Sequence, residues 1–237
     1  VYQVYSTSTG DATNPLTLAT STTLYAHQSF QADAQLKADG TKDARYLLKF
    51  KEGLPSRSGP LTADGPTSGT STLGPNLYLT ASTSQGVIRN EELILLRAEA
   101  RLATGDKAGA IADLNQVRVN SGGLPASTLT AASPDADVLT GILYEKRFSL
   151  YLEGMRWVDA RRYNRLSSLP LDIASGPNKN FVAKVFPVPQ GECLVRAKAT
   201  GDLLGPNGAL LASADPTSTF SDRDTALGTG ATLSAVL

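Results

Sequence analysis

Residues 90–118 read NEELILLRAEARLATGDKAGAIADLNQVR, a pattern that predicts two helices joined by a tight turn. Asn90 can cap the first helix, and two glutamates follow it, where the helix dipole favours negative charge. Gly105 is expected to end this helix and Asp106 to begin the second. Small residues flank the turn, as in tetratricopeptide-type hairpins, whose helices pack closely. Such a unit cannot bury its apolar face alone, so helical neighbours are expected.

Apolar residues recur at helical spacing in both helices and predict which faces are buried. Ser-Gly-Gly at 121–123 is expected to end the second helix. The predicted buried positions are Leu93, Leu96, Ala100 and Ala103 in the first helix, and Ala108, Ile111, Leu114 or Asn115, and Arg118 in the second.

Residues 133–165 predict a long helix followed by a shorter one. Ser133-Pro134 is a favourable start, because proline fits the first helical position. Gly154 is expected to bend or end the long helix, and the shorter helix should run to about Arg165. The predicted apolar stripe consists of Val138, Leu139, Ile142, Leu143, Phe148, Tyr151, Leu152 and Met155.

Composition divides the chain into three regions. Residues 1–88 are a loop-rich mixed segment, and residues 89–192 are helical apart from VFPVP at 185–189, which should be extended because residues before proline avoid the helical region. Residues 193–237 form a low-complexity tail. The predicted fold class is mainly α, a tetratricopeptide-like superhelix with loop-rich, partly β insertions. In the first region, short strands are predicted at 1–5 (VYQVY), 45–50 (RYLLKF) and 76–80 (NLYLT), with an irregular loop at 53–75.

Composition also argues against several classes of function. The formal net charge is zero, so no bulk field attracts nucleic acid, and no apolar run is long enough to span a bilayer. His27 and Cys193 are the only histidine and cysteine, too few for a zinc site, and Cys193 is interpreted as a buried or idle thiol. A Ser-His-Asp triad would have to use His27, and no phosphate-binding glycine loop occurs. No cofactor or metal is predicted.

Charged residues gather around the end of the long helix. Glu145 and Glu153 would be about 12 Å apart along a helix axis, too far for the roughly 5–9.5 Å of a glycosidase pair. Glu153 and Asp159 could lie closer, but the surrounding arginines would keep both ionised and remove the general acid. We therefore predict ion pairs that lock helices together, and no enzymatic activity. The predicted cluster, in which Trp157 is expected to belong to the core, comprises Arg97, Glu99, Arg118, Glu145, Arg147, Glu153, Arg156, Trp157, Asp159, Arg161 and Arg162.

A ligand site is predicted beside the Gly/Pro-rich loop. Tyr78 offers a flat apolar face with a polar tip, and Asn76 can hydrogen-bond two sugar hydroxyls. An ordinary strand is the alternative interpretation of these two residues.

Four ordered motifs within about residues 89–192 resemble the C-terminal half of the SusD/RagB family: LLRAEARLATGD, AIADLNQVR, ILYEKRFSLYLEGMRWVDARRY and VFPVPQGE. Ser149 stands where the family usually has a second glutamate. The residues that match the family pattern are Arg97, Glu99, Gly105, Asn115, Arg118, Glu145, Arg147, Glu153, Gly154, Arg156, Trp157, Asp159, Arg161, Arg162, Pro187, Pro189 and Glu192.

This resemblance implies a role in nutrient uptake. Family members are cell-surface lipoproteins of the outer membrane that bind glycans or other nutrients and act as a lid on a TonB-dependent β-barrel transporter. The implied partners are that transporter and an oligosaccharide or other nutrient, with no nucleic acid. The family's lipid-bearing N-terminal half is not matched, and the chain begins with Val1 without a visible signal peptide, so we expect a mature or truncated product. The alternative function is a tetratricopeptide-like scaffold that binds peptide segments.

Overall fold

Helices dominate the structure, a computed structural model that describes residues 1–17, 25–56, 61–62, 65–66, 70–173, 175, 179–180 and 182. The mainly α fold class is confirmed. Within the described residues, the helices are α1 (Ser29–Asp33), α2 (Ala44–Lys49), α3 (Asn90–Ala103), α4 (Lys107–Gly122), α5 (Asp135–Ser149) and α6 (Met155–Arg162), followed by a 3-10 helix at Leu166–Ser168.

The strands that the structure describes are short and form three antiparallel pairs instead of a continuous sheet. The predicted strand at 1–5 is reduced to two residues. The predicted strand at 76–80 is wrong, because these residues form an irregular segment with bends at positions 77 and 80. The pairs are β1 (Tyr2–Gln3) with β6 (Gln85–Gly86), Tyr2 opposite Gly86; β2 (Phe50–Lys51) with β5 (Gly74–Pro75), Phe50 opposite Pro75; and β3 (Leu61–Thr62) with β4 (Gly65–Pro66), Leu61 opposite Pro66.

The α3–α4 hairpin forms as predicted from its turn residues. Gly105 has a positive φ of 87°, which a residue without a Cβ adopts at little cost, and the Asp106 side chain accepts a hydrogen bond of 2.9 Å from the Gly109 N–H. Gly123 ends α4 in the left-handed conformation. The predicted cap at Asn90 is wrong by one position, because Arg89 precedes the helix and its side chain makes no capping hydrogen bond.

The buried face of α3 differs from the predicted one. Ile94, Leu95 and Ala98 are buried, whereas Leu93 and Leu96 are 53% and 52% exposed. The sequence ELILL is apolar on several sides of the helix, so periodicity alone could not choose the face. Packing against α4 and α5 makes that choice. In α4, Ile111 and Leu114 are buried as predicted, but Ala108 is exposed.

Two apolar clusters share α5. The first lies between α3, α4 and α5, and the second brings α5 against the segments before residue 88. The first consists of Ile94, Leu95, Ala98, Ala110, Ile111, Leu114, Val117, Val138 and Ile142. The second consists of Ala26, Ala34, Tyr46, Phe50, Leu73 and Phe148, with Phe30, Tyr144 and Tyr151 packed against it.

The predicted strand at 45–50 is wrong, because most of these residues form α2. Asp43 caps this helix by accepting a hydrogen bond from the Arg45 N–H. Arg45, Tyr46 and Lys49 are buried, whereas the two leucines between them face solvent, Leu48 being 65% exposed. Cations occupy buried positions here, so hydrophobicity indicated the wrong face and the wrong element.

The long and short helices are separate elements. Pro134 directly precedes α5, one position earlier than predicted, and α5 ends at Ser149. Gly154 directly precedes α6 in the left-handed conformation, so it starts the short helix and does not end the long one as predicted. The short helix ends at Arg162, before the predicted Arg165.

Several predictions fall on residues that the structure does not describe. The VFPVP segment, Cys193 and the low-complexity tail lie outside the described residues, as does most of the loop at 57–69. Within the described part of the chain, no helix has the length and apolar character needed to cross a bilayer.

A buried carboxylate connects three helices. Glu145, on α5, has no exposed surface; Arg118 of α4 donates to its Oε1 at 3.0 Å, and Arg45 of α2 lies 2.7 Å from its Oε2. Arg45 also donates to both oxygens of Asp43, at 3.0 and 2.6 Å. Burial raises the pKa of Glu145, and the two arginines oppose that change. A buried charge is tolerated only when it is paired in this way.

We expect Glu145→Gln to lower the free energy of unfolding by about 3 kcal/mol or more, because the buried Arg45 and the partly buried Arg118 lose their shared counter-charge. Urea denaturation followed by circular dichroism measures this loss. The control is Asp135→Asn, which removes an ion pair with Lys107 at 2.7 Å in which the aspartate is 69% exposed, and should cost less than about 1 kcal/mol. Equal losses in the two variants would contradict the structural role of Glu145.

Candidate functional site

A polar pocket of about 380 Å³ lies between the β1–β6 pair, the start of α3 and the turn that joins α5 to α6. The β1–β6 pairing sets Gln3 opposite Gln85, which brings two amide side chains to the same end of the pocket. The lining residues are Gln3, Tyr5, Gln85, Gly86, Val87, Glu92, Leu152 and Glu153.

The pocket is rich in both hydrogen-bond donors and hydrogen-bond acceptors. The Tyr5 hydroxyl donates to Gln85 Oε1 at 3.2 Å, which orients the amide. Glu153 pairs with Arg89 at 2.6 Å. Burial raises the pKa of Glu153, while the nearby charge of Arg89 lowers it. Amides and a phenol that donate and accept, together with carboxylates that accept, match the hydroxyl groups of a sugar.

The two predicted ligand residues have different surroundings. Tyr78 is half-buried with a positive φ of 54°, and its pKa is raised first by burial and then by the charge of Glu153, so it lies within electrostatic reach of the polar pocket. Asn76 is used elsewhere: its side-chain amide donates to the Leu48 carbonyl at 3.1 Å and its backbone N–H to the Lys49 carbonyl at 2.7 Å. Asn76 therefore ties its loop to α2.

The predicted ion-pair cluster is distributed over several separate groups. Glu145 and Arg118 belong to the buried group already described. Glu153 pairs with Arg89, and Arg97 pairs with Asp113 at 2.7 Å. Arg147 pairs with Asp33 and donates a hydrogen bond to Ser29, and Arg162 pairs with Glu99 and Asp159. Arg156 and Trp157 line a second pocket, and Arg161 is exposed on α6.

Lys146 is a buried centre that the sequence analysis did not single out. Its ammonium donates to Glu99 at 2.6 Å and to Asp159 at 2.8 Å, so one lysine joins α3, α5 and α6. Tyr163 and Arg162 complete the group by bonding the other oxygen of Glu99. The sequence could have indicated this role, because Lys146 is next to Glu145 in the predicted long helix. Two charged side chains there can both be buried only if each has a partner of opposite charge.

The carboxylates do not form a catalytic pair. Glu153 and Asp159 belong to different ion-pair groups, with Arg89 and with Lys146. Burial raises the pKa of Glu153, and the charge of Arg89, its partner at 2.6 Å, opposes that change. Glu145 is enclosed by Arg45 and Arg118 and has no exposed surface for a substrate to reach.

His27 lies in a constellation that resembles a triad but acts as a local turn. Its Nδ1 lies 2.8 Å from Ser29 Oγ, and its Nε2 lies 2.7 Å from Asp172. The same Nδ1 also accepts the Ser29 backbone N–H at 3.0 Å, and Arg147 donates to Ser29 Oγ at 2.7 Å. The next two backbone N–H groups already bond carbonyls, so they offer no oxyanion site. In the described residues, no group of three or more His, Cys, Asp or Glu side chains could hold a metal ion.

The C-terminal end of α5 is held by cations. The Lys49 ammonium donates to the Phe148 carbonyl at 2.8 Å and also to the Ser149 carbonyl, and Arg89 donates to the same Ser149 oxygen. These cations hydrogen-bond carbonyls that have no partner within the helix, and their positive charge interacts favourably with the helix dipole. The contacts fix the turn that forms one wall of the polar pocket.

Comparison with known proteins identifies one family. The model of the SusD family matches residues 75–225, more than half of the 237 residues. No curated protein matches the chain.

Two solved structures are similar to this chain. One is a SusD superfamily protein from Bacteroides vulgatus, 17% identical with a TM-score of 0.48, where the match covers 61% of this chain and 34% of that one. The other is a SusD-like protein from Bacteroides fragilis, 19% identical with a TM-score of 0.47, where the match covers 67% and 37%. The chain thus spans about a third of the length of these two proteins.

Lys49 predicts a pH dependence of stability. Burial, followed by the charge of Arg89, lowers its pKa to about 8 from the usual 10.5. Between these values the unfolded chain binds more protons than the folded chain, so stability rises with pH. We expect the free energy of unfolding to rise between about pH 7.5 and 9.5, by at most about 1.4 kcal/mol per pH unit, a range below the titration of ordinary tyrosines.

The measurement is urea denaturation at each pH for the wild type, Lys49→Met and Lys51→Met. Lys51 is exposed, so its variant should keep the rise, whereas Lys49→Met should lose it. The same pH profile in all three proteins would show that Lys49 is not the titrating group.

Proposed function

Because this chain belongs to the SusD family, we propose that it is part of a cell-surface protein that binds glycans or other nutrients without changing them chemically. The observation that carries this proposal is the family match over residues 75–225. The four sequence motifs, which resemble the C-terminal half of the family, support the same assignment.

The polar pocket is the proposed ligand site. Gln3, Gln85 and Tyr5 supply donors and acceptors, and Glu92 and Glu153 supply further acceptors. Tyr78 beside them would offer an apolar face for a sugar ring. Each hydroxyl bonded in the pocket replaces a bond to water, so affinity at one site should be modest.

Binding without catalysis is supported by the placement of the charged residues. The carboxylates of the α5–α6 region are committed to lysine and arginine partners, and His27 accepts a backbone N–H. These ion pairs hold helices together. We propose on this basis that the protein is not an enzyme.

We further propose an outer-membrane location and a TonB-dependent β-barrel transporter as partner. The resemblance to the family supports both, with a lipid anchor outside this chain as the means of attachment. The ligand would be an oligosaccharide or another nutrient that the transporter takes up, with the binding protein acting as a lid.

The exposed apolar face of α3 favours a second candidate, a helical scaffold that binds peptide segments. Leu93 and Leu96 face solvent, and Val87 and Ile88 are 56% and 45% exposed just before the helix. Exposed apolar patches of this kind mark protein contacts.

Gln85→Ala tests the polar pocket as the ligand site. In the native full-length protein, we expect this change to weaken binding of the oligosaccharide that binds best in a polysaccharide-derived panel by about fivefold to tenfold, because one hydrogen-bonding amide is lost. Isothermal titration calorimetry measures the affinity. Gln116→Ala, an exposed position on α4, is the matched control and should leave the affinity unchanged. Glycan binding that ignores Gln85→Ala would move the site away from this pocket.

A pull-down of the native full-length protein from detergent-solubilised membranes, with mass spectrometry of its companions, tests the uptake role. We expect a stoichiometric β-barrel transporter. A soluble partner in place of a barrel, together with no binding to the glycan panel, would overturn the uptake role and favour the peptide-binding scaffold.

A further inference from the structure

A second pocket, of about 480 Å³, lies between α1, the C-terminal part of α5 and the first turn of α6. Its lining is chiefly apolar and aromatic, unlike that of the polar pocket. The residues that set this character are Phe30, Leu143, Leu150, Tyr151, Met155 and Trp157.

In the part of the chain that the structure describes, the charged groups of this second pocket leave one cation, Arg156, without an ion-pair partner. Lys146 and Asp159 bond each other, within the group completed by Glu99 and Arg162. Arg147 pairs with Asp33 at 2.6 Å. Arg156 also lines the pocket and, among the described residues, has no carboxylate within ion-pair distance.

The surroundings of Arg156 favour an anion. Burial of its guanidinium and the nearby charge of Arg147 lower its pKa, although the residue as a whole is exposed, and the more weakly acting charges of Asp159 and Asp33 oppose this change. Arginine stays protonated in proteins even so, and a negative group would relieve the repulsion between the two guanidinium groups. The first turn of α6 contains no acidic residue, and no side chain caps it, so its dipole has the same sign preference.

We propose that the second pocket binds a single carboxylate attached to an apolar ring or chain. One cation without an ion-pair partner calls for a monoanion, and a guanidinium matches a carboxylate through two parallel hydrogen bonds. The apolar lining would leave the hydroxyls of a sugar without partners, at a cost for each buried group. Two sources share the proposed chemistry: a free organic acid and the apolar C-terminal residue of a peptide. The inference does not depend on the proposed glycan binding.

Trp157 gives a direct signal for ligand binding, because it is the only tryptophan in the 237-residue chain and lines the pocket. The probes are 3-phenylpropionate and its amide, and N-acetyl-Gly-Phe and its C-terminal amide, each titrated into the intact chain. We expect a saturable change in the indole emission with at least one of the two acids. Each acid that binds should bind about tenfold more tightly than its amide. The acid that binds identifies the source.

Arg156→Gln separates the charge contribution from apolar binding. We expect it to weaken binding of the acid about tenfold and to leave the amide unchanged. Arg161→Gln, an exposed arginine of the same helix, is the matched control and should change neither affinity. The proposal would be overturned by equal binding of acid and amide, by no saturable emission change with either acid, or by equal loss of affinity in both variants. Galacturonate, a sugar acid, is titrated as a further probe, and tighter binding of it than of both acids would also overturn the proposal.

Discussion

Glu145 is a fully buried carboxylate whose arginine partners come from distant parts of the chain. A buried charge needs compensation within hydrogen-bonding distance, so the position of α5 dictates where Arg45 and Arg118 can lie. Arg45 brings a second charge into the same interior, and Asp43 neutralises it while capping α2. One ionised group thus fixes α2 and α4 on α5. The contact between Arg45 and Glu145 joins residues on the two sides of the predicted boundary near residue 88.

The cations at the C-terminal end of α5 also position the turn that lines both pockets. Lys49 and Arg89 occupy the last carbonyls of the helix, which therefore ends at Ser149, before the predicted break at Gly154. The turn that follows faces the polar pocket on one side and the apolar pocket on the other, and Leu152 lines both. The positions of the two pockets therefore follow from how the helix is capped.

Local features could be predicted from the sequence, whereas the choice of partners could not. Gly105 and Asp106 act within a few residues of themselves, so the hairpin follows from its own turn. The failure at 45–50 has a different cause: Arg45 and Lys49 are buried because carboxylates and carbonyls about a hundred residues later receive them. For the candidate site, residue type pointed to Tyr78 beside the Gly/Pro-rich loop, which stays a prediction. Gln3, Tyr5 and Gln85 of the polar pocket were missed because only the β1–β6 pairing brings them together.

In the described part of the chain, two of the three non-glycine residues with positive φ lie near the polar pocket, the third being Asn164. Tyr78 and Leu152 have positive φ values of 54° and 66°, a conformation that costs a residue with a Cβ about 1–2 kcal/mol. Such conformations persist only where neighbouring contacts hold them. Leu152 directly precedes Glu153, whose ion pair with Arg89 at 2.6 Å supplies such a contact. The ion pair therefore holds Leu152 in its strained conformation and fixes Glu153 at the wall of the polar pocket. Side chains held in this way lower the ordering cost of binding, so the strained segment favours the polar pocket as the proposed ligand site.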